Sequence, residues 1–197
     1  PRIDLLHRAL LGREPLRAGA AADVPRAGVA LLVRPAPADL EVLLIRRADR
    51  AGDPWSGHMA FPGGRAQAGD RDLADTAARE THEEVGIDVA AAGRLLGPVQ
   101  PVWPLSSRAP RILVRAFVFW VQAPVRAVPN HEVDEIVWVP VDELRSPGAV
   151  TEHLLEIEGH GEMRFPAFGT RGYVIWGLTH RILTTFLELY AATDGEA

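Results

Sequence analysis

Residues 79–86 read RETHEEVG, placing Glu80, Glu83 and Glu84 within little more than one helical turn before the chain reaches Gly86. On a helix, Glu80 stands three residues from Glu83 and four from Glu84, so the three carboxylates project toward one side. Each like-charged pair at that spacing costs an isolated helix roughly 0.2–0.5 kcal/mol, and negative charge near a helix C-terminus meets the unfavourable end of the macrodipole. A fold that keeps this segment must offset the repulsion. Arg79, four residues before Glu83, can hold that carboxylate by an i,i+4 ion pair. A divalent, oxygen-seeking cation can relieve the rest, since Mg2+ takes carboxylates, carbonyls and water while leaving positions for substrate phosphates. The competing reading is a solvated helix face with surplus negative charge.

The surroundings favour the cation. Gly57 to Gly64 (GHMAFPGG) carries strand-like apolar residues and then a proline with two glycines, so backbone at Phe61, Gly63 and Gly64 can turn sharply or approach a ligand closely. Asp70 or Asp72 can cap a helix whose apolar side uses Leu73, Ala74, Ala77, Ala78 and Thr81 and which Gly86 terminates. Upstream, Ile3 to Leu11 reads as a short amphipathic helix, Gly12 to Arg26 as a linker, and Val29–Val33 and Val42–Ile45 as buried strands around the turn Pro35 to Asp39. Downstream, Leu95–Val102, Ile112–Val121 and Glu132–Val139 are strand candidates. Val150–Glu158 and Glu162–Phe168 form a hairpin across Gly159, His160 and Gly161, and Tyr173–Tyr190 is a closing helix. This order predicts an α/β fold, an α/β/α sandwich around a mixed β-sheet. It is one domain over 26–192, preceded by an N-terminal helix and linker over 1–25.

Composition excludes several function classes. The 197 residues suffice for one well-buried domain. The 21 basic residues are all arginine, the formal net charge is −5 and no positive run stands out, so nucleic acid is not an expected partner. Without cysteine there is no thiol nucleophile or thiolate metal site, which suits a reducing cytoplasm, the expected location. Apolar runs such as Ala116 to Val121 are too short to span a bilayer, and PRIDLLHRALLG is too charged for a signal peptide, so no membrane partner is expected.

The stretch GRAQAGDRDLADTAARETHEEVGI, Gly64 to Ile87, resembles the signature of the Nudix hydrolases, a glycine, a spaced acid and then Arg-Glu-x-x-Glu-Glu-x-Gly. Asp70 stands where that family usually has glutamate, and the gap from Asp70 to Arg79 is one residue longer. The resemblance implies hydrolysis of a nucleoside diphosphate linked to another moiety, with Mg2+ or Mn2+ as cofactor. It assigns Glu80 and Glu84 as main metal ligands, Glu83 as a further ligand or water-activating partner and the Gly64 carbonyl as another ligand, with Arg79 and Gly86 shaping the motif. A catalytic acid from outside the motif is common in the family. Glu132 and Glu135 are the candidates here, and either can instead be a strand-edge charge.

LLIRRADRAGDPWSGHMAFPGG, Leu43 to Gly64, and RGYVIWGLTHRIL, Arg171 to Leu183, resemble segments of the coenzyme A diphosphatase subgroup. That resemblance implies release of 3′,5′-ADP and 4′-phosphopantetheine from coenzyme A or its thioesters. Arg46, Arg47, Arg50 and Arg108 are available to fork a 3′-phosphate, and Trp55 and Trp103 could stack on adenine; a solvated or packing role is open for each. His58 and His82 are expected to be structural or exposed, and Trp176 to pack the last helix. The alternatives are a pyrophosphatase for ADP-ribose, a reduced dinucleotide or a diadenosine polyphosphate, and, from a different class, a non-catalytic nucleotide sensor. The assembly state stays open, a homodimer included.

Overall fold

The computed structural model describes residues 2–11, 24–53, 55–104, 111–122, 124–157, 159 and 161–195. Its centre is a mixed sheet of seven strands: β1 (Arg26–Pro35), β2 (Leu40–Arg47), β3 (Met59–Ala60), β4 (Gly63–Arg65), β5 (Gly93–Pro98), β6 (Leu113–Val121) and β7 (Val133–Pro140). The order is β3-β2-β1-β6-β5, with β4 also paired to β1 and β7 to β2. β1 and β6 run parallel, and the remaining pairs are antiparallel.

Both faces of this sheet are covered, which is why its central strands read as continuous apolar runs rather than alternating ones. Leu31, Val33, Val42, Leu44, Ala116 and Val118 point to one face. There they meet Leu6 and Leu10 of α1 (Arg2–Leu11) and Leu183 and Phe186 of α5 (Gly177–Ala192). Ala30, Leu32, Leu43, Ile45, Phe117 and Phe119 point to the other, toward Ala77 and Val85 of α2 (Leu73–Val85). The result is the expected α/β/α sandwich. Short helices α3 (Val89–Ala92) and α4 (Val141–Arg145) lie between strands, and a second, three-stranded sheet is formed by β8 (Val150–Ile157), β9 (Gly161–Thr170) and β10 (Tyr173–Trp176).

Several boundaries differ from expectation. Tyr173 to Trp176 does not begin the closing helix; it pairs antiparallel with Ala167–Thr170, and the helix starts at Gly177 with φ 66°. Tyr-Val-Ile-Trp is aromatic and β-branched, and a neighbouring strand edge satisfies its backbone. Trp176 therefore belongs to the second sheet instead of packing α5. The strand expected over Leu95–Val102 ends at Pro98, leaving Val102 as an isolated bridge to Val114. The β8–β9 hairpin is as expected, in register Val150↔Phe168 to Ile157↔Gly161, though residues 158 and 160 of its tip lie outside the described set.

The N-terminal helix docks on its own chain. Leu6 and Leu10 are fully buried, and the Arg2 guanidinium lies 3.8 Å from the Tyr190 ring centroid and pairs with Asp39 and Asp194. The linker residues 12–23 lie outside the described set. Among the described residues no helix is long and apolar enough to cross a membrane.

Candidate active site

Helix α2 is set in place at both ends. Asp72, not Asp70, is its N-cap and accepts the Asp75 N–H at 2.8 Å, while Gly86 ends it in the left-handed region at φ 69°. Asp70 instead takes the Arg79 guanidinium on both oxygens, at 3.0 and 3.2 Å, and also accepts from Gln67 N and Thr76 Oγ1. These bonds, led by Arg79, hold the Asp70 carboxyl well below the usual carboxylate range. The one-residue-longer gap is thus bridged, and the shorter acid still reaches Arg79.

Arg79 is the hub of the cluster. Its Nη1 donates to Glu80 at 2.8 Å and to both oxygens of Glu83 at 3.2 Å, so the i,i+4 pair forms together with a contact to the adjacent glutamate. Glu83 is exposed, whereas Glu84 is 4% exposed and accepts the Gly63 N–H at 2.9 Å. Burial pushes the Glu84 carboxyl up to about 7, the charge of Glu80 adds to this, and the Gly63 bond opposes it. Glu80 is raised too, again mainly by burial, with Glu83 and Glu132 contributing. Glu80 and Glu84 are therefore two inward carboxylates, and the charge of Glu80 disfavours the ionisation of Glu84.

The two glycines of Phe-Pro-Gly-Gly make room for them. A Cβ on Gly64 would lie 2.5 Å from the Glu80 carboxyl carbon, and one on Gly63 2.5 Å from the Gly28 carbonyl oxygen. These clashes differ in kind. Gly64→Ala is expected to keep the fold and displace Glu80, lowering kcat by about a hundredfold with little change in Tm, whereas Gly63→Ala meets rigid backbone and lowers Tm. Thermal melts alongside single-substrate kinetics check both halves, and a Gly64→Ala enzyme of normal turnover would refute the placement of Glu80.

Among the described residues no three His, Asp or Glu side chains form a ready-made metal cage. Glu80 and Glu84 beside a glycine backbone nevertheless suit Mg2+, which is commonly bound by one or two protein carboxylates with water and substrate phosphate completing the shell. The excess negative charge at these groups is what such a cation would relieve.

The strand residues divide between the two faces of the sheet. Arg47 faces α2, where its charge acts on Glu84, and is held by Asp53 at 2.7 Å; Arg50 pairs with Glu132 at 3.1 Å. Glu132 bears electrostatically on both Glu80 and Glu84. Arg46, expected to join Arg47 and Arg50, instead points to the opposite face, opposite Met59, and pairs with Asp134. Glu135 follows it, 3.9 Å from Arg46 Nε and bonded by the Tyr173 phenol, away from the glutamates of α2.

A register shift explains the split. Arg46 pairs with Glu135 but Arg47 with Val133, so Asp134 is an extra residue. This bulge turns Val133 into the core beneath α2, while Glu132 lies in the turn before β7, paired with Arg50 on the side of the glutamates. Phe61 also departs from expectation: at 5% exposure it belongs to the core on the α5 side and anchors the loop instead of lining a site. Trp103 lies against α5 through the bond from Arg181 Nη1 to its carbonyl, 2.7 Å. Trp55 is exposed, as is His82, and Arg108 lies outside the described residues. Asp53, which fixes Arg47, was not singled out from sequence; an acid six residues after an arginine, in a turn, was the available signal.

Comparison with known proteins gives a consistent picture. The NUDIX domain profile matches residues 24–157. The mitochondrial coenzyme A diphosphatase NUDT8 of Mus musculus is 32% identical over 161 residues, 81% of this chain and 74% of that protein. The chloroplastic Nudix hydrolase 22 of Arabidopsis thaliana is 32% identical over 152 residues, 74% of this chain. The chain spans about half the length, or less, of several curated relatives it matches, 48% of the Arabidopsis protein among them. A MutT/nudix family structure from Enterococcus faecalis superposes with TM-score 0.57 over 98% of this chain and 69% of that one, at 14% identity, a likeness of fold.

Proposed function

The chain belongs to the Nudix family, and from that premise we propose that it hydrolyses the diphosphate linkage of coenzyme A or its thioesters, releasing 3′,5′-ADP and 4′-phosphopantetheine or its acyl derivative. The observation that carries the reaction is the Glu80–Glu84 pair, held inward against Gly63 and Gly64 with Glu132 in its field. The substrate rests on the likeness to the mouse coenzyme A diphosphatase and on the segments around Phe-Pro-Gly-Gly and Ile-Trp-Gly.

In this reading Glu80 and Glu84 hold Mg2+ or Mn2+, with the Gly64 carbonyl and Glu83 as further donors. The cation supplies charge neutralisation for the diphosphate and acidifies a water. Glu132 is the better placed of the two outside acids to accept the proton of the attacking water, since Glu135 is engaged on the other face. Arg79 positions Glu80 and Glu83, and the guanidinium of Arg50, 54% exposed, is available to a phosphate on the same side.

The test is a panel of coenzyme A, dephospho-coenzyme A, ADP-ribose, reduced dinucleotide and diadenosine polyphosphate, with Mg2+ and with Mn2+, ranked by kcat/KM. Coenzyme A is expected to lead. Dephospho-coenzyme A is expected to lose at least about tenfold, the effect of one charge-assisted contact, and Arg50→Gln to narrow that gap. ADP-ribose faster than either coenzyme A compound would replace the substrate while keeping the chemistry.

A further inference from the structure

On the face of the sheet opposite the glutamates, a cavity of about 300 Å³ opens between the two sheets. Its lining comes from distant parts of the chain: Arg46 on β2, Gly57, His58 and Met59 leading into β3, His153 on β8, and Tyr173 and Trp176 on β10. No step of the reaction above uses it. It is nonetheless joined to the site through two short connections. Arg46 and Arg47 are consecutive and point to opposite faces, and His58 and Met59 run directly into Gly63, whose N–H holds Glu84. An arm leaving the diphosphate therefore has to pass the sheet edge formed by β3 to reach it.

The chemistry of the lining narrows the occupant. The Trp176 indole is already covered by protein rings: His153 stacks on it at 4.1 Å and 25°, His58 meets it at 5.1 Å and 63°, and Phe165 at 5.6 Å and 47°. A flat base would find no free platform there. A phosphate is also disfavoured, because Asp134 and Glu135 flank Arg46 and burial keeps both histidines toward their neutral form. What the cavity does offer is a set of separated polar edges between apolar walls. The imidazoles of His58 and His153, set on either side of the Trp176 indole, can each donate or accept. That pattern matches an extended, uncharged chain bearing secondary amides.

We propose that this cavity, walled by Arg46, His58, His153, Tyr173 and Trp176, binds the amide-bearing arm of the substrate while the diphosphate lies at Glu80 and Glu84. The assignment rests on the coenzyme A reading, in which that arm is pantetheine. It makes the second sheet a specificity element for an otherwise general hydrolytic site.

Two measurements separate the cavity from the substrate reading. In heteronuclear NMR spectra of the metal-free protein, pantetheine is expected to shift the Trp176 indole N–H and the amides of Gly172 to Val174, whereas adenosine 3′,5′-bisphosphate is expected to shift Arg47 to Arg50. Val174 is 42% exposed at the cavity wall, so Val174→Trp can fill the space without entering the core. That variant is expected to abolish the pantetheine shifts and to lower the ratio of kcat/KM for coenzyme A over ADP-ribose by at least about tenfold. Tyr173→Phe, a smaller change, is expected to weaken the pantetheine shifts. A folded Val174→Trp with an unchanged ratio, or a Trp176 signal moved by the nucleotide and not by pantetheine, overturns the assignment. A wild type that does not hydrolyse coenzyme A overturns the substrate reading alone, and a pantetheine response at Trp176 would then still support the cavity.

Discussion

Replacing Glu84 or Glu80 with Gln is expected to lower kcat by about a thousandfold, the effect of losing several kcal/mol of charge stabilisation in the transition state. Both side chains belong to one face of α2 and both are turned inward, one onto the Gly63 N–H and the other onto Gly64. Gln preserves the shape of each, and its amide oxygen can still accept from Gly63, so the loss would report charge rather than folding. Glu83→Gln should cost less, because Glu83 is exposed and Arg79 already neutralises part of its charge. Steady-state kinetics on the three variants, with Mg2+ titrated in each, checks the order. Equal turnover in the Glu80 and Glu84 variants and wild type would remove them from the metal site.

What could be read from the sequence was whatever is carried by local spacing. The glutamates, Arg79 and Gly86 lie within eight residues on one helix, and 3.6-residue periodicity alone predicts their shared side. Phe-Pro-Gly-Gly announced close backbone approach, and both glycines do stand where a Cβ would collide. Arg46 and Arg47 show where that reasoning stops. Strand alternation already demands that neighbours face opposite ways, but which one faces the glutamates depends on which face of the sheet α2 covers, a matter of packing between distant segments. Glu132 and Glu135, two acids that the sequence leaves equivalent, are parted by the turn before β7 and the bulge at Asp134. Tyr173 to Trp176 carries apolar residues compatible with either period, and only the free edge of β9 makes it a strand. The cavity beneath it joins residues from β2 to β10 and has no local signature at all.

Without a divalent cation, wild type is expected to fall in stability relative to Glu84→Gln as pH rises from 5 to 8. The sign follows from the Glu84 carboxyl, which burial raises from its ordinary 4.5 to about 7. Between those values the folded protein keeps a proton that the unfolded chain has released, so the free energy of unfolding decreases with rising pH and levels off above about 7. At roughly 1.4 kcal/mol per pH unit, the full difference is about 3 kcal/mol. The comparison with Gln is needed because other groups act in the same window. His58, His153 and His180 have lowered pKa values, so their contribution is lost as pH falls and makes stability rise toward neutrality in both proteins. Asp70, whose carboxyl Arg79 depresses, contributes fully throughout the range. Urea unfolding in chelator at pH 5, 6, 7 and 8 reads Glu84, together with its coupling to Glu80, as the growing gap between the two curves. Saturating Mg2+ at pH 8 should close that gap by raising wild type alone, since only wild type regains the paired charge. Parallel curves for the two proteins across the range would mean that Glu84 ionises in the folded state as easily as in water, and the strained, inward carboxylate on which the site is built would be refuted.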